Sequence, residues 1–170
     1  MFERATGKPF AGDGGELMDG GDTQATGWRH EVIEDGPWAG WFAYGNDPFE
    51  DHAGPFYYRV GDDGRRVCAM RAEAKHMNGG GFMHGGAIMT FADYCLFVIA
   101  KDALTDSRSV TATFNGEFVG AVAPGSLVEC TGEVVKAGRR MVFVRGLMTT
   151  GGEPVMSFSA VLKKTSARAG

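Results

Sequence analysis

From residue 55 onward, apolar and polar positions take turns with a period of two, and one long apolar block interrupts them. Phe56 to Val60 is a short, aromatic-rich run, and Asp62-Asp63-Gly64 after it is a turn signal. Cys68, Met70, Ala72 and Ala74 then alternate with Arg71, Glu73 and Lys75, which predicts a half-buried strand. Asn78-Gly79-Gly80-Gly81 ends it. Residues 85–101 are apolar nearly all round and predict a helix buried on most sides. Alternation resumes with Val110, Ala112, Phe114, Gly116 and Phe118 against Thr111, Thr113, Asn115 and Glu117. Pro124-Gly125 makes a turn. Residues 127–136 and 141–149 read as a hairpin about Ala137-Gly138, and Gly151-Gly152 turns into a last strand with Met156, Phe158, Ala160 and Leu162 facing inward. Tight turns imply antiparallel neighbours. The expectation is an α+β fold in which one curved antiparallel sheet wraps a central buried helix.

The first 54 residues lack this rhythm. Residues 1–27 are rich in glycine and acid, a composition that buries little and predicts loose order. All three tryptophans, Trp28, Trp38 and Trp41, follow, with Phe42 and Tyr44 behind them. Residues 1–54 are therefore expected to form a partly flexible arm, either packed by its aromatics onto the main domain or closing over it as a lid. Residues 55–170 form the domain proper. There is no internal repeat.

Composition narrows the function classes. With 170 residues, 44% hydrophobic and 22% charged, the chain suits one soluble domain. A net charge of -4 argues against nucleic-acid binding, which needs a basic face. The most apolar stretch, residues 87–100, is too short to span a bilayer and contains Asp93. Cys68, Cys95 and Cys130 are scattered and odd in number, which fits reduced thiols better than a disulfide framework, and no secretory signal is visible; the cytoplasm is the expected location. His30, His52, His76 and His84 show no metal-ligand spacing, and no metal or cofactor is expected. No G-x-S-x-G elbow occurs.

The chemistry concentrates between His76 and Asp93. Glycines just before a helix leave its first amides accessible, and a helix N-terminus presents unpaired N–H groups at the positive end of the dipole. Such a turn can hold an oxyanion, and a carbonyl oxygen can approach the Gly85 amide closely because Gly85 has no side chain. Asp93 stands among Phe91, Ala92, Tyr94, Cys95, Leu96 and Phe97, where a carboxylate needs a reason to be. Each residue also has a plain structural role open to it. His84 can be a satisfied helix-start histidine, Asn78 a turn former, and Asp93 an anchor bonded to a backbone amide or a neighbouring chain.

The spacing of Asn78, His84-Gly85-Gly86 and Asp93 resembles the signature of hotdog-fold acyl-CoA thioesterases of the phenylacetic-acid-degradation type. The resemblance runs over roughly residues 55–164 and includes Thr111, where the family often has Ser or Thr, then Pro124-Gly125 and Gly138-Arg139. It implies that the Gly85 amide polarises the thioester carbonyl, that His84 shapes the turn, and that Asn78 positions water or carbonyl. Asp93 would act as base or nucleophile, with Thr111 holding the water. Gly86, Phe82 and Met83 would meet the substrate, although Phe82 and Met83, like Phe91 and Phe97, can equally fill the core. Arg139 and Arg140 are a solvated hairpin tip or a contact for the nucleotide phosphates.

The function implied is hydrolysis of an acyl-CoA thioester to a free acid and coenzyme A. A non-catalytic acyl-CoA-binding module is the alternative, and a hotdog hydratase ranks below both. Gly85 and Asp93 are eight residues apart, so one straight helix separates them by about 12 Å along its axis and about 80° around it. They cannot serve one carbon within a single chain. The expectation is a homodimer with two shared sites, or a dimer of such dimers.

Overall fold

The computed structural model describes residues 29–45, 47–104 and 107–165. The glycine-rich stretch 1–27 and Trp28 lie outside them. Eight strands form one sheet: β1 (Arg29–Val32), β2 (Phe42–Gly45), β3 (Tyr57–Val60), β4 (Arg66–Arg71), β5 (Arg108–Phe118), β6 (Leu127–Ala137), β7 (Met141–Thr150) and β8 (Glu153–Thr165). Among the described residues there are two α-helices, α1 (Pro48–Ala53) and α2 (Gly85–Ile99). Every neighbouring pair is antiparallel, in the order β1-β2-β3-β4-β6-β7-β8-β5. The chain leaves the sheet after β4, runs along α2, and returns at the far edge as β5.

The β6–β7–β8 meander follows the alternation in the sequence. Met156, Phe158, Ala160 and Leu162 are buried and face Val128, Cys130, Val142, Val144 and Met148 across one core. Against this face lies α2, burying Ile88, Phe91, Ala92, Tyr94, Cys95, Leu96 and Val98. No helix among the described residues is long and apolar enough to cross a membrane.

Three expectations need correcting. The strand expected from Cys68 to Lys75 ends at Arg71, because Glu73 and His76 close a capping box around a 3-10 turn at Ala74–His76. It is also not half-buried: Cys68, Ala69 and Met70 are all fully buried, since β4 is paired on both sides and small Ala69 lies between Tyr57 and Glu129. The strict alternation of β5 is broken by a bulge between Thr111 and Thr113, so Thr111 and Phe114 turn inward while Val110 and Phe118 are each 51% exposed. Finally, α2 is apolar all round but is not covered all round. Its stripe of Gly86, Met89, Thr90, Asp93 and Phe97 has no described element packed fully over it, and Met89 is 45% exposed.

The three cysteines, distant in sequence, meet in the core. Cys68 and Cys130 are register partners on β4 and β6, and Cys95 from α2 is buried in the same core cluster. All are free, and burial pushes the Cys68 and Cys95 thiols up.

Residues 29–45 extend the sheet beyond β3. Trp38 stacks on Tyr57 with centroids 4.2 Å apart, the Arg59 guanidinium lies over Trp41 at 4.8 Å, and Phe42 and Tyr44 both stack on Tyr58. Tyr44 also meets Tyr94 of α2 edge-on at 5.6 Å. From residue 29 on, the expected arm shares its sheet and its core with the domain that follows.

Candidate active site

The loop that leads into α2 is held by its own backbone together with the side chains of His76, Lys75, Asn78 and His84. Buried His76 accepts the Glu73 amide hydrogen at Nδ1 (2.9 Å), so its proton sits on Nε2 and is donated to the Ala53 carbonyl (2.7 Å). Lys75 Nζ donates to the carbonyls of Gly54 and His52. These two side chains tie the end of α1 to the loop. Met77 bridges Met83, and between them the Asn78 amide donates to the Phe82 carbonyl (2.8 Å). Asn78 Oδ1 accepts the amides of Gly80 (2.8 Å) and Phe82 (3.3 Å), and Gly81 takes φ +82°, which a side chain would resist. The oxygen of Asn78 thus shapes the loop, and its Nδ2 is the group left to meet a ligand.

His84 caps α2. Its amide donates to the His76 carbonyl (2.8 Å), and its Nδ1 accepts the Gly86 amide (2.8 Å). Gly86 is occupied twice, because its carbonyl accepts Thr90 Oγ1–H (2.9 Å). The Gly85 amide has no acceptor among the described residues, nor has that of Ala87, so the helix start leaves N–H groups for an oxygen from outside. The Phe118 ring flanks it, 3.4 Å from where a Cβ on Gly85 would stand.

Two turns further on, Asp93 emerges half-buried on the uncovered stripe. Thr111 Oγ1 donates to its Oδ1 at 2.6 Å. The β5 bulge makes this possible by re-aiming Thr111 out of the strict alternation. One further acid, on α1, was passed over by sequence reasoning. Glu50, in the first turn of α1, is half-buried; its burial, then the charges of Asp47, Asp93 and Asp51, push its carboxyl up to about 7. The sequence signal was weak: a six-residue polar helix with a Pro and an Asp cap, in a segment without periodicity. Burial also pushes the hydroxyls of Tyr44 and Tyr94 up, and the Tyr94 hydroxyl is buried without a partner. A cavity of about 200 Å³ lies between the two helices, walled by His52, Ala53 and Phe56 on one side and Ala87 and Thr90 on the other.

Thus α2 presents an amide at Gly85 and, two turns on, a carboxylate at Asp93, with β5 running past so that Phe118 lies at the first and Thr111 at the second. One chain does not bring the two together. Of the residues expected to meet substrate, Phe82 is 50% exposed beside the donor turn, whereas Met83 is 4% exposed and belongs to the core. Arg139 and Arg140 are exposed on the β6–β7 tip. No group of three or more His, Cys, Asp or Glu among the described residues could hold a metal ion.

Comparison with known proteins agrees with this geometry. A sequence model of the thioesterase superfamily matches residues 80–157, which include Gly85, Asp93 and Thr111. A Pseudomonas aeruginosa protein named as a candidate esterase is 33% identical over 117 residues, spanning 68% of this chain and 87% of that protein. Among solved structures, the PaaI protein of the Escherichia coli phenylacetic acid degradation operon superposes with a TM-score of 0.63 at 18% identity, covering 72% of this chain and 87% of the other. A hypothetical thioesterase from Streptococcus pneumoniae, solved with coenzyme A, superposes with a TM-score of 0.59 at 20% identity, over 67% and 88% of the two chains. The shared arrangement of sheet and helix is the hotdog fold.

Proposed function

Because this chain belongs to the thioesterase superfamily, we propose that it hydrolyses acyl-CoA thioesters to a free carboxylic acid and coenzyme A. The observation that carries the proposal is the Asp93–Thr111 pair on an uncovered helix face, together with a Gly85 amide that has no acceptor among the described residues. Thr111 occupies Oδ1 of Asp93 and leaves Oδ2 for chemistry. Acting as base, Asp93 takes a proton from water while the water oxygen bonds to the thioester carbon. Acting as nucleophile, its oxygen forms that bond first and water cleaves the resulting anhydride. In either case the C–S bond breaks, sulfur leaves with the electron pair, and a proton ends on the thiol. The negative oxygen of the tetrahedral intermediate meets the Gly85 amide at the positive end of α2.

These roles need two chains. A second copy laid antiparallel along the uncovered α2 stripe sets the Asp93 of one protomer against the Gly85 of the other. The exposed β5 edge, with Val110 and Phe118 open, offers the strand on which such a pair can continue its sheet. The assembly is a homodimer with two shared sites, and the open outer face of the sheet leaves room for a dimer of dimers. Arg139 and Arg140, free at the hairpin tip, are the cations for the phosphates of coenzyme A.

A free-thiol assay over short, medium, long and aromatic acyl-CoAs tests the proposal. Release of coenzyme A from at least one class is expected. Binding without release across the panel would leave the alternative, an acyl-CoA-binding module.

A further inference from the structure

The hydrolase reading assigns groups to the thioester bond but says nothing of what receives the acyl chain beyond it. The cavity of about 200 Å³ between the two helices adjoins the donor turn. Ala87 and Thr90 form its α2 wall, and Ala87 stands about 3 Å beyond Gly85 along the helix axis. Thr90 reaches back to the Gly86 carbonyl (2.9 Å), so this wall is made by the same first turns that present the Gly85 amide. His76 lines the cavity as well, and its carbonyl accepts the His84 amide (2.8 Å), which joins that wall to the cap of α2.

The polar atoms of the lining are already bonded within the protein. His76 has Nδ1 on the Glu73 amide (2.9 Å) and Nε2 on the Ala53 carbonyl (2.7 Å). Lys75 Nζ lies on the carbonyls of Gly54 and His52, with the Glu73 carboxylate at 3.7 Å. The Thr90 hydroxyl is held by Gly86. Apart from exposed His52, what the walls offer a ligand is the methyls of Ala53, Ala87 and Thr90 and the Phe56 ring. Phe56 is the firm part. It is 6% exposed, and its ring is packed on those of Phe91 (5.4 Å) and Tyr94 (5.3 Å). A ring fixed in a close-packed core does not retreat before a larger guest.

Resting on the hydrolase reading, we propose that this cavity takes the acyl chain of the thioester held at Gly85 and limits the substrates to short, uncharged acyl groups. An apolar cavity of about 150 Å³ accepts a benzene ring, so the space here suits a chain of about six carbons. Phe56 and Ala87 set the limit, one from the floor and one from the wall beside the donor. Residues 48–76, which supply α1, Phe56 and His76, lie outside the stretch 80–157 matched by the thioesterase superfamily model. The limit is therefore imposed by this chain's own approach to the shared core.

The test is kcat/KM over acetyl-, butyryl-, hexanoyl-, octanoyl-, decanoyl- and succinyl-CoA. The wild type is expected to gain about threefold per added methylene up to hexanoyl. It is expected to lose at least about tenfold at decanoyl, where the chain overfills the space. Succinyl-CoA, with the chain length of butyryl but a terminal carboxylate, is expected to be slower than butyryl-CoA by about tenfold or more. Ala87→Leu fills the cavity and should lower the hexanoyl-to-acetyl ratio at least about tenfold. Phe56→Leu, a smaller change that deepens the floor, should raise the octanoyl-to-hexanoyl ratio about threefold. Decanoyl at or above hexanoyl in the wild type, or an unmoved ratio in Ala87→Leu, overturns the proposal. If no acyl-CoA is cleaved, the hydrolase reading fails, and calorimetric binding of the same panel decides the cavity by itself. A Kd for hexanoyl-CoA at least about tenfold below those for acetyl- and decanoyl-CoA supports it, and equal Kd values overturn it.

Discussion

The first turn of α2 and the stretch around Asp93, here its amide end and its carboxylate end, are built by opposite means. The amide end is largely local: Asn78 folds its own loop and His84 caps its own helix, while His76, Lys75 and the Met83 amide make the longer reaches, to Ala53, to the end of α1 and to the Val122 carbonyl. The carboxylate end is assembled from afar, with Thr111 arriving from β5, eighteen residues on. A turn that holds itself can be read from consecutive letters. A carboxylate whose setting is supplied by distant strands cannot, and it is the end where the chemistry is tuned.

Changes at the carboxylate end should act on rate rather than on fold. Asp93→Asn is expected to lower kcat on the order of 100- to 10,000-fold with an unchanged circular dichroism spectrum. Near-normal turnover would remove Asp93 from the reaction. The sharpest trial joins the two ends. Gly85→Pro deletes the free amide at a helix position that tolerates proline, and Asp93→Ala deletes the carboxylate. Refolded together in equal amounts, the two dead proteins should regain about a quarter of wild-type activity, because half the dimers are mixed and each mixed dimer holds one intact site. A mixture that stays dead, with mixed dimers demonstrated by mass, would show the ends to work within one chain.

Thr111→Val keeps the shape and removes the hydrogen bond to Asp93, so a fall of about tenfold in kcat with KM little changed is expected. A rise in KM alone would make Thr111 a substrate contact instead. The smallest effect is on stability. Glu50 is held up to about 7 in the folded protein against 4.5 for the free group, so folding favours its protonated form. That preference is harmless below pH 4.5 and becomes a penalty as pH climbs through 7. The melting temperature of Glu50→Gln minus that of the wild type should therefore be larger at pH 8 than at pH 5, by about 2 °C or more. An equal difference at both pH values would show that folding does not perturb Glu50.

What the sequence disclosed follows the same division. The β6–β7–β8 meander was legible because alternation and the Gly151-Gly152 turn are local signals, and the start of α2 was legible from the glycines and His84. Asp93 stood out as an acid in an apolar run. The β5 bulge did not show, because an extra residue leaves the alternation of letters intact while the backbone changes phase. The uncovered stripe of α2 was hidden for a related reason: Met89 and Phe97 are apolar whether the sheet or a second copy covers them. The setting of Glu50 gave only a weak signal, since it depends on where α1 is pinned, and that is settled by His76 and Lys75, more than twenty residues away.

The meeting of Cys68, Cys95 and Cys130 has a practical side. Each is sealed in the core, so an aromatic disulfide reagent that reports released coenzyme A should find no protein thiols while the chain is folded. When the core opens, all three react. The protein thus carries its own count of unfolded molecules, readable at the same wavelength as its proposed product. A reaction trace that begins at zero and later climbs without substrate would be reporting denaturation, three equivalents at a time.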